Sequence, residues 1–302
     1  MQTLTDIKSL LAARGIRPKH RLGQNFLHDQ NQIRKLVDAA LGDEGAVPPI
    51  SRRLSSRGLV LEVGPGTGAL TEALVERGCD VIACEIDANM IAILRERFDG
   101  RVTLIEGDAL AGKHEINPAI LGAIAGGPFK LIANLPYQIA TPLMMNLLID
   151  VPNCMGQFIT IQKEVADRML AIPGTKDYGP LSIVAQTFAR IEMIGVVPPS
   201  CFWPEPEVTS AMVAIFPSPS GRRVGGEGTR KPDQLDRRAF ARFATMLFTK
   251  RRKQLGSIFG RTRALPAGID PSLRPEALAP QQVVLLFEKA LFDKATGAEI
   301  SS

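Results

Sequence analysis

Asn134-Leu135-Pro136-Tyr137 puts a side-chain amide, backbone carbonyls beside a proline and an aromatic face within four consecutive residues. The amide and carbonyl oxygens can accept both N–H donors of an exocyclic amino group on a flat ring, and the tyrosine can stack on that ring. A strand that merely ends in a proline turn would carry the same residues without any chemistry. Motifs elsewhere in the chain decide between the two.

A second set of residues suits a cofactor that carries a nucleoside. Gly64-Pro65-Gly66-Thr67-Gly68 is a glycine turn at which backbone can approach a ligand closely. Glu85 follows at the distance where a carboxylate accepts hydrogen bonds from both hydroxyls of a ribose. Asp108 follows in turn, within Glu106-Gly107-Asp108. Gly64, Gly66 and Ala69 also satisfy the loose dinucleotide pattern, so the turn by itself leaves a nicotinamide enzyme open.

The elements that must position these residues are legible as apolar runs. Leu59–Val63 and Phe129–Ile132 read as buried strands, and Val81–Glu85 and Val102–Ile105 as the strands between them in sequence. Gly64 to Gly68, Glu85, Asp108 and Asn134 each follow the end of one of them. In an open parallel sheet those ends share one edge, where ligands bind. Leu70, Ala73, Leu74 and Arg77 continue the glycine turn as a helix. Ile33, Leu36, Val37, Ala40 and Leu41 form another helix face, introduced by a polar Asp29–Asn31 stretch that can cap it. Phe202 lies between two further strands, Ile191–Val197 and Ser210–Phe216, near the same edge. A core aromatic under a proline-rich loop is the plainer account of it. Residues 42–58 read as a long loop and 217–234 as a flexible linker. Helices alone follow, at roughly 235–248, 251–260, 275–280 and 281–292. The expected fold is a mixed seven-stranded α/β sheet with its last strand antiparallel, followed by a small all-helical C-terminal domain.

Charge is divided along the chain. Formal net charge is +5 over residues 1–58, −8 over 59–216 and +8 over 217–302. Basic flanks around an acidic core suit RNA phosphates gripped on either side of a site cut into the core. The sharpest cluster, Lys250-Arg251-Arg252-Lys253, follows a helix patterned by Phe240, Phe243, Leu247 and Phe248. At 302 residues there is room for one large and one small domain, and 45% apolar residues is ordinary for a globular protein. No run approaches a membrane span, the N-terminus does not read as a secretory signal, and a reducing cytoplasm is the simplest compartment. Cys79, Cys84, Cys154 and Cys201 have no metal spacing, so no metal is expected. His20, His28 and His114 are scattered, and no catalytic role is expected of them.

The chain resembles the ribosomal RNA adenine dimethyltransferases, which use S-adenosyl-L-methionine. The nearest branch is the bacterial one that dimethylates two adjacent adenines in the 3′-terminal hairpin of 16S RNA. The resemblance begins at Lys19-His20-Arg21-Leu22-Gly23-Gln24-Asn25-Phe26-Leu27 and takes in the glycine turn, Glu85-Ile86-Asp87, Gly107-Asp108-Ala109 and Asn134–Tyr137. It continues through Gln162–Ala166 and Val197–Phe202 to Phe248–Leu255.

What this resemblance implies is specific. The fold is a Rossmann-like methyltransferase sheet. Residues 1–58 form a basic arm, first helix and loop of the catalytic domain, 59–217 the core, 218–234 a linker, and 235–302 a helical RNA-binding domain. Asn25, Leu27, Gly64, Gly66, Glu85, Asp108 and Asn134 bind the cofactor. Asn134, Leu135, Pro136, Tyr137 and Phe202 form the catalytic pocket, with Tyr137 and Phe202 sandwiching a flipped adenine. Lys19, Arg21 and Lys250–Lys253 meet RNA of the small-subunit precursor. The protein is expected to act as a monomer and to contribute to small-subunit biogenesis. One departure stands out: Glu207 and Thr209 replace the family's usual lysine and aspartate around Val208, which puts a local phosphate contact in doubt. A resistance-type methyltransferase of large-subunit (23S) RNA would share the core. A DNA or protein-glutamine methyltransferase would more often carry a second proline in place of Leu135. A ribosome-assembly or RNA-binding factor with secondary methylation would need the same surfaces.

Overall fold

Strands covered on both faces are apolar throughout. Leu59–Val63, Val81–Glu85 and Phe129–Ile132 occupy such positions, whereas the run Val102–Ile105 leads into the edge strand and is only partly buried. The computed structural model describes residues 2–42, 58–112, 115–218, 235–260 and 264–295. Nearly all of the expected loop 42–58, nearly all of the linker 217–234, and His114 lie outside the described residues. Two compact units form: Met1–Ala166 with Glu192–Phe216, and Asp167–Ile191 with Pro217–Ser302. Among the described residues no helix is long and apolar enough to cross a membrane.

The first unit opens with α1 (Leu4–Ala12), whose Thr3 and Asp6 cap each other reciprocally. It is followed by β1 (Phe26–Leu27) and α2 (Gln30–Leu41). Asp29 caps α2 by accepting from the Asn31 and Gln32 amides, and Ile33, Leu36, Val37 and Ala40 are buried as the periodicity predicts. Alternation then sets in: β2 (Leu59–Val63), α3 (Ala69–Glu76), β3 (Asp80–Glu85), α4 (Ala88–Phe98), β4 (Thr103–Glu106), α5 (Pro118–Ile124), β5 (Phe129–Asn134), α6 (Tyr137–Asp150) and β6 (Cys154–Gln162). The chain runs on through α7 (Lys163–Leu170), α8 (Pro180–Phe188), β7 (Ala189–Val197), β8 (Phe202–Trp203) and β9 (Ser210–Pro217). Seven strands form one sheet in the order β4-β3-β2-β5-β6-β9-β7. The pairs from β4 to β6 are parallel and β9 lies antiparallel to β6, so the final strand reverses as expected. Helices α2 and α3 bury Leu36, Val37, Leu70 and Leu74 in one cluster with Val60, Val81 and Ile132 of the sheet.

The second unit is helical, and it is larger than the expected 235–302. It takes in α8, α9 (Arg237–Thr249), α10 (Leu255–Phe259) and α11 (Pro280–Ala295). The chain leaves the first unit between Phe216 and Pro217, beside the boundary expected at residue 217; the difference is residues 167–191, whose α8 packs with the later helices. Phe188 meets Phe240 edge-on at 5.4 Å, and Phe240 meets Phe287 at 5.5 Å. Tyr178 donates its hydroxyl to the Leu278 carbonyl at 2.7 Å.

Candidate active site

Four adjacent parallel strands, β4-β3-β2-β5, end on one edge of the sheet, and the polar residues that follow them line a single cavity. Gly64 and Gly66 form its floor. Both have left-handed backbone, with φ of +71° and +57°. A Cβ on Gly64 would stand 3.0 Å from Pro136 Cδ, and one on Gly66 would stand 2.8 Å from the Phe26 ring. Glycine here provides both the turn and the close packing. It is a cradle that any side chain would fill.

Carboxylates follow in sequence. Glu85 is buried, and its oxygens accept from the Gly66 amide at 3.1 Å and the Asp87 amide at 2.9 Å. Burial raises its pKa, and the two backbone hydrogen bonds only partly offset this. Asp108 is exposed at the mouth and accepts from the Leu110 amide at 2.9 Å. Glu62, one position before the end of β2, had no role in the sequence reading. It lines the same cavity, accepts from the Thr71 hydroxyl at 2.7 Å, and is pushed up to about 8 by burial, against that hydrogen bond and with the neighbouring Glu85 adding to the rise.

That rise has a sign that can be measured. The unfolded chain loses this proton near the ordinary value of 4.5 and the folded protein only near 8. Between the two the native state binds more protons, so the contribution of Glu62 to stability falls as pH rises and levels off above that window. Glu62→Gln keeps an acceptor for Thr71 and removes the charge. Thermal melts of the empty protein from about pH 5 to about pH 9 should show a shallower decline for the variant. Parallel slopes would mean that Glu62 ionises as an ordinary carboxylate.

The opposite wall comes from the N-terminal segment. β1 pairs with β8 in an antiparallel two-stranded sheet, Phe26 opposite Trp203 and Leu27 opposite Phe202. Asn134 Nδ2 donates to the Asn25 carbonyl at 3.0 Å. With its donor side so committed, the Asn134 amide keeps Oδ1 as its acceptor. Lys19, expected at phosphates, forms an ion pair with Asp87 at 2.8 Å, and Arg21 is exposed.

The cavity thus brings together Asn25, Leu27, Gly64, Gly66, Glu85, Asp108, Asn134 and Pro136. It does not include Leu135, Tyr137 or Phe202. Leu135 is buried, and Tyr137 is half-buried with its hydroxyl 2.7 Å from Ser210 Oγ. Phe202 is 2% exposed and packs in the core cluster with Leu27 and Ile33, which is the plainer of the two accounts of it. Gln24, Asp87 and Ser210 were missed as site-supporting residues, because each acts through a partner distant in sequence.

In the helical unit, Lys250, Arg252, Lys253 and Arg274 line a basic concavity. Arg251 differs from its neighbours: its Nε donates to Glu276 Oε2 at 2.6 Å, and its other nitrogens reach the Thr175 and Lys176 carbonyls at 3.3 Å.

Comparison with known proteins bears on this geometry. The family model described as ribosomal RNA adenine dimethylase matches residues 15–288. The chain is 39% identical to the ribosomal RNA small subunit methyltransferase A of Aromatoleum aromaticum, over 89% of this chain and 93% of that one. It is 34% identical to the protein of the same name from Mycobacterium bovis, over 95% and 87%. Among solved structures, a dimethyladenosine transferase from Plasmodium falciparum superposes with a TM-score of 0.67 at 23% identity, covering 91% of this chain and 100% of that one. The 23S rRNA methyltransferase ErmE superposes with a TM-score of 0.55 at 22% identity, covering 88% and 99%. These two likenesses concern the fold.

Proposed function

The chain belongs to the ribosomal RNA adenine dimethylases, and from that premise we propose that it methylates N6 of two adjacent adenines in the 3′-terminal hairpin of small-subunit RNA, using S-adenosyl-L-methionine. The observation that carries this reading is the cavity at the strand ends, which the Glu85 and Asp108 carboxylates and the Asn134 amide line together. The cradle of Gly64 and Gly66 fits a ligand pressed against backbone, and Glu85 and Asp108 are acceptors suited to ribose hydroxyls and an adenine amino group. When bound, the cofactor supplies an activated methyl group on a sulfonium.

The residues of the chain then have to align and polarise the target. Adenine N6 is a weak nucleophile because its lone pair is delocalised into the ring. Asn134 Oδ1 and a neighbouring backbone carbonyl accept its hydrogens, which favours a pyramidal nitrogen with its lone pair toward the methyl. Alignment of this kind can lower a barrier by roughly 7–11 kcal/mol. Tyr137 offers a stacking face for a base taken out of its helix, worth about 1–3 kcal/mol against the cost of unstacking. Ser210 holds the ring by its hydroxyl. Phe202 completes the pocket if base binding draws it out of the core, so an adenine-analogue RNA should change its packing.

The decisive test is nucleoside mass spectrometry after incubation with labelled S-adenosyl-L-methionine and undermethylated small subunits, with large-subunit RNA in parallel. N6,N6-dimethyladenosine in the small-subunit sample alone supports the reading. Label in large-subunit RNA alone would point to the resistance-type activity, and no label in either would leave RNA binding without catalysis.

The basic cluster gives a second, contrasting prediction. Lys250, Arg252 and Lys253 act on phosphates in this reading, while Arg251 holds its own unit together. Arg252→Ala should weaken RNA binding uniformly and lower the salt slope by about one. Arg251→Ala should lower the melting temperature modestly, since it removes a part-exposed ion pair with Glu276 and two hydrogen bonds to carbonyls. Filter binding across a salt series and thermal melts of both variants separate the roles. A wild-type melt for Arg251→Ala would return that residue to the RNA surface.

A further inference from the structure

We propose that Asp87 is a positioning residue for cofactor binding, which through Lys19 and Gln24 clamps the Lys19–Leu27 segment in place as one wall of the cavity. The proposal rests on the cofactor reading above and deepens it. Asp87 stands between two parts of the site. Its amide N–H donates to Glu85 Oε1 at 2.9 Å, which orients the carboxylate that faces the ribose in that reading. Its own carboxylate accepts from Lys19 Nζ at 2.8 Å on one oxygen and from Gln24 Nε2 at 2.9 Å on the other. Gln24 Oε1 in turn accepts the Lys19 amide N–H at 2.7 Å, which closes a ring of three residues around a carboxylate only 3% exposed.

The chemistry favours a fixed rather than a loose contact. Burial alone would raise the Asp87 carboxyl, yet the hydrogen bonds from Lys19, Gln24 and the Asn89 amide hold it below its ordinary range. A buried carboxylate with every bond satisfied is costly to uncover, because opening the ring leaves a charge without partners. Between Lys19 and Gln24 the chain makes a single 3-10 turn, His20–Leu22, which closes on itself at Gly23. The clamp therefore fixes the start of the wall, while β8 and Asn134 fix its end. Asn25, whose carbonyl accepts from Asn134, and Leu27, paired with Phe202, are held at that end and line the cavity. Undocking the segment would remove one wall and leave the glycine turn where it is.

Asp87 also caps α4 by accepting from the Asn89 amide at 3.1 Å, so its own replacement would disturb more than the clamp. Lys19→Met and Gln24→Leu open the ring without touching that cap. Titration calorimetry of the full chain with S-adenosyl-L-methionine should show affinity weakened about tenfold or more in each. In turnover, KM for the cofactor should rise with kcat nearly unchanged, and Lys19→Arg should restore most of the loss. In the empty protein, amide exchange should quicken across residues 19–27 and stay as it was across α4. Wild-type affinity and wild-type exchange in both variants would overturn the clamp alone. Lost binding to small-subunit RNA with wild-type cofactor affinity would assign Lys19 to phosphates and overturn it too. Wild-type protein that takes up no S-adenosyl-L-methionine would overturn both the clamp and the reading beneath it.

Discussion

Asn134→Ala should lower methyl transfer about 100- to 1000-fold while leaving association with small-subunit RNA near wild type, an effect of the size seen when one preorganised polar group is removed from a reacting centre. The expectation follows from how the amide is held. Its nitrogen donates to the Asn25 carbonyl at 3.0 Å, so turning the amide over would bring two oxygens together. Oδ1 is thereby kept as an acceptor at the end of β5. Asn134→Asp tests the same point from the other side. It keeps an acceptor but loses the donor and sets a carboxylate oxygen against the Asn25 carbonyl. The aspartate variant should therefore weaken cofactor binding as well as chemistry, through displacement of the wall that carries Asn25 and Leu27. Single-turnover assays at saturating cofactor, beside titration calorimetry, distinguish the two variants. Near-wild-type transfer by Asn134→Ala would remove this residue from the reacting centre.

Gly66→Ala should lower cofactor affinity by about two orders of magnitude or more. Left-handed backbone costs an L-residue roughly 1–2 kcal/mol, and forcing a methyl into a packed ring costs about 1–3 kcal/mol more. The ring in question is Phe26, 2.8 Å from the position the methyl would take. Phe26 cannot move freely, since it stacks on Trp203 with ring centres 6.3 Å apart and pairs with it in backbone register. Gly15→Ala is the control. Gly15 has a similar φ of +64°, but nothing lies within 4 Å of its Cβ position. That variant should show a modest loss of stability and unchanged affinity. Equal affinities for both variants would mean that the glycine turn does not cradle the cofactor.

Much of the site is written locally, and that part was legible. Gly64, Glu85, Asp108 and Asn134 lie at the ends of strands whose apolar runs are visible in the chain, and parallel pairing puts successive ends on one edge. The residues whose surroundings the sequence did not show depend on partners far away. Lys19 reads as a surface cation in a basic stretch, and nothing nearby announces that Asp87 will bury its carboxylate beneath it. Phe202 reads as a stacking aromatic, yet it lies opposite Leu27 in a two-residue strand too short to show any periodicity. Arg251 shares a run of four cations with residues that stay at the surface, and only the fold brings Glu276 against it. The membership of residues 167–191 in the helical unit was missed for a related reason. α8 precedes the final two strands of the sheet in sequence, but its Phe188 is complementary to helices that follow them.

The pairing of β1 with β8 also has a consequence in time. Phe26 and Leu27 find their partners only at Trp203 and Phe202, after six strands of the main sheet have been made. Contacts of such sequence separation form late, because a long loop must close before they give any return. During synthesis the glycine turn, Glu85, Asp108 and Asn134 all emerge well before the segment that completes their cavity can be seated. A nascent chain released short of residue 202 would hold the strand-end half of the site without the register that seats its N-terminal wall. Competence to take up the cofactor is therefore expected to appear abruptly as β8 leaves the ribosome, rather than to grow with each strand added.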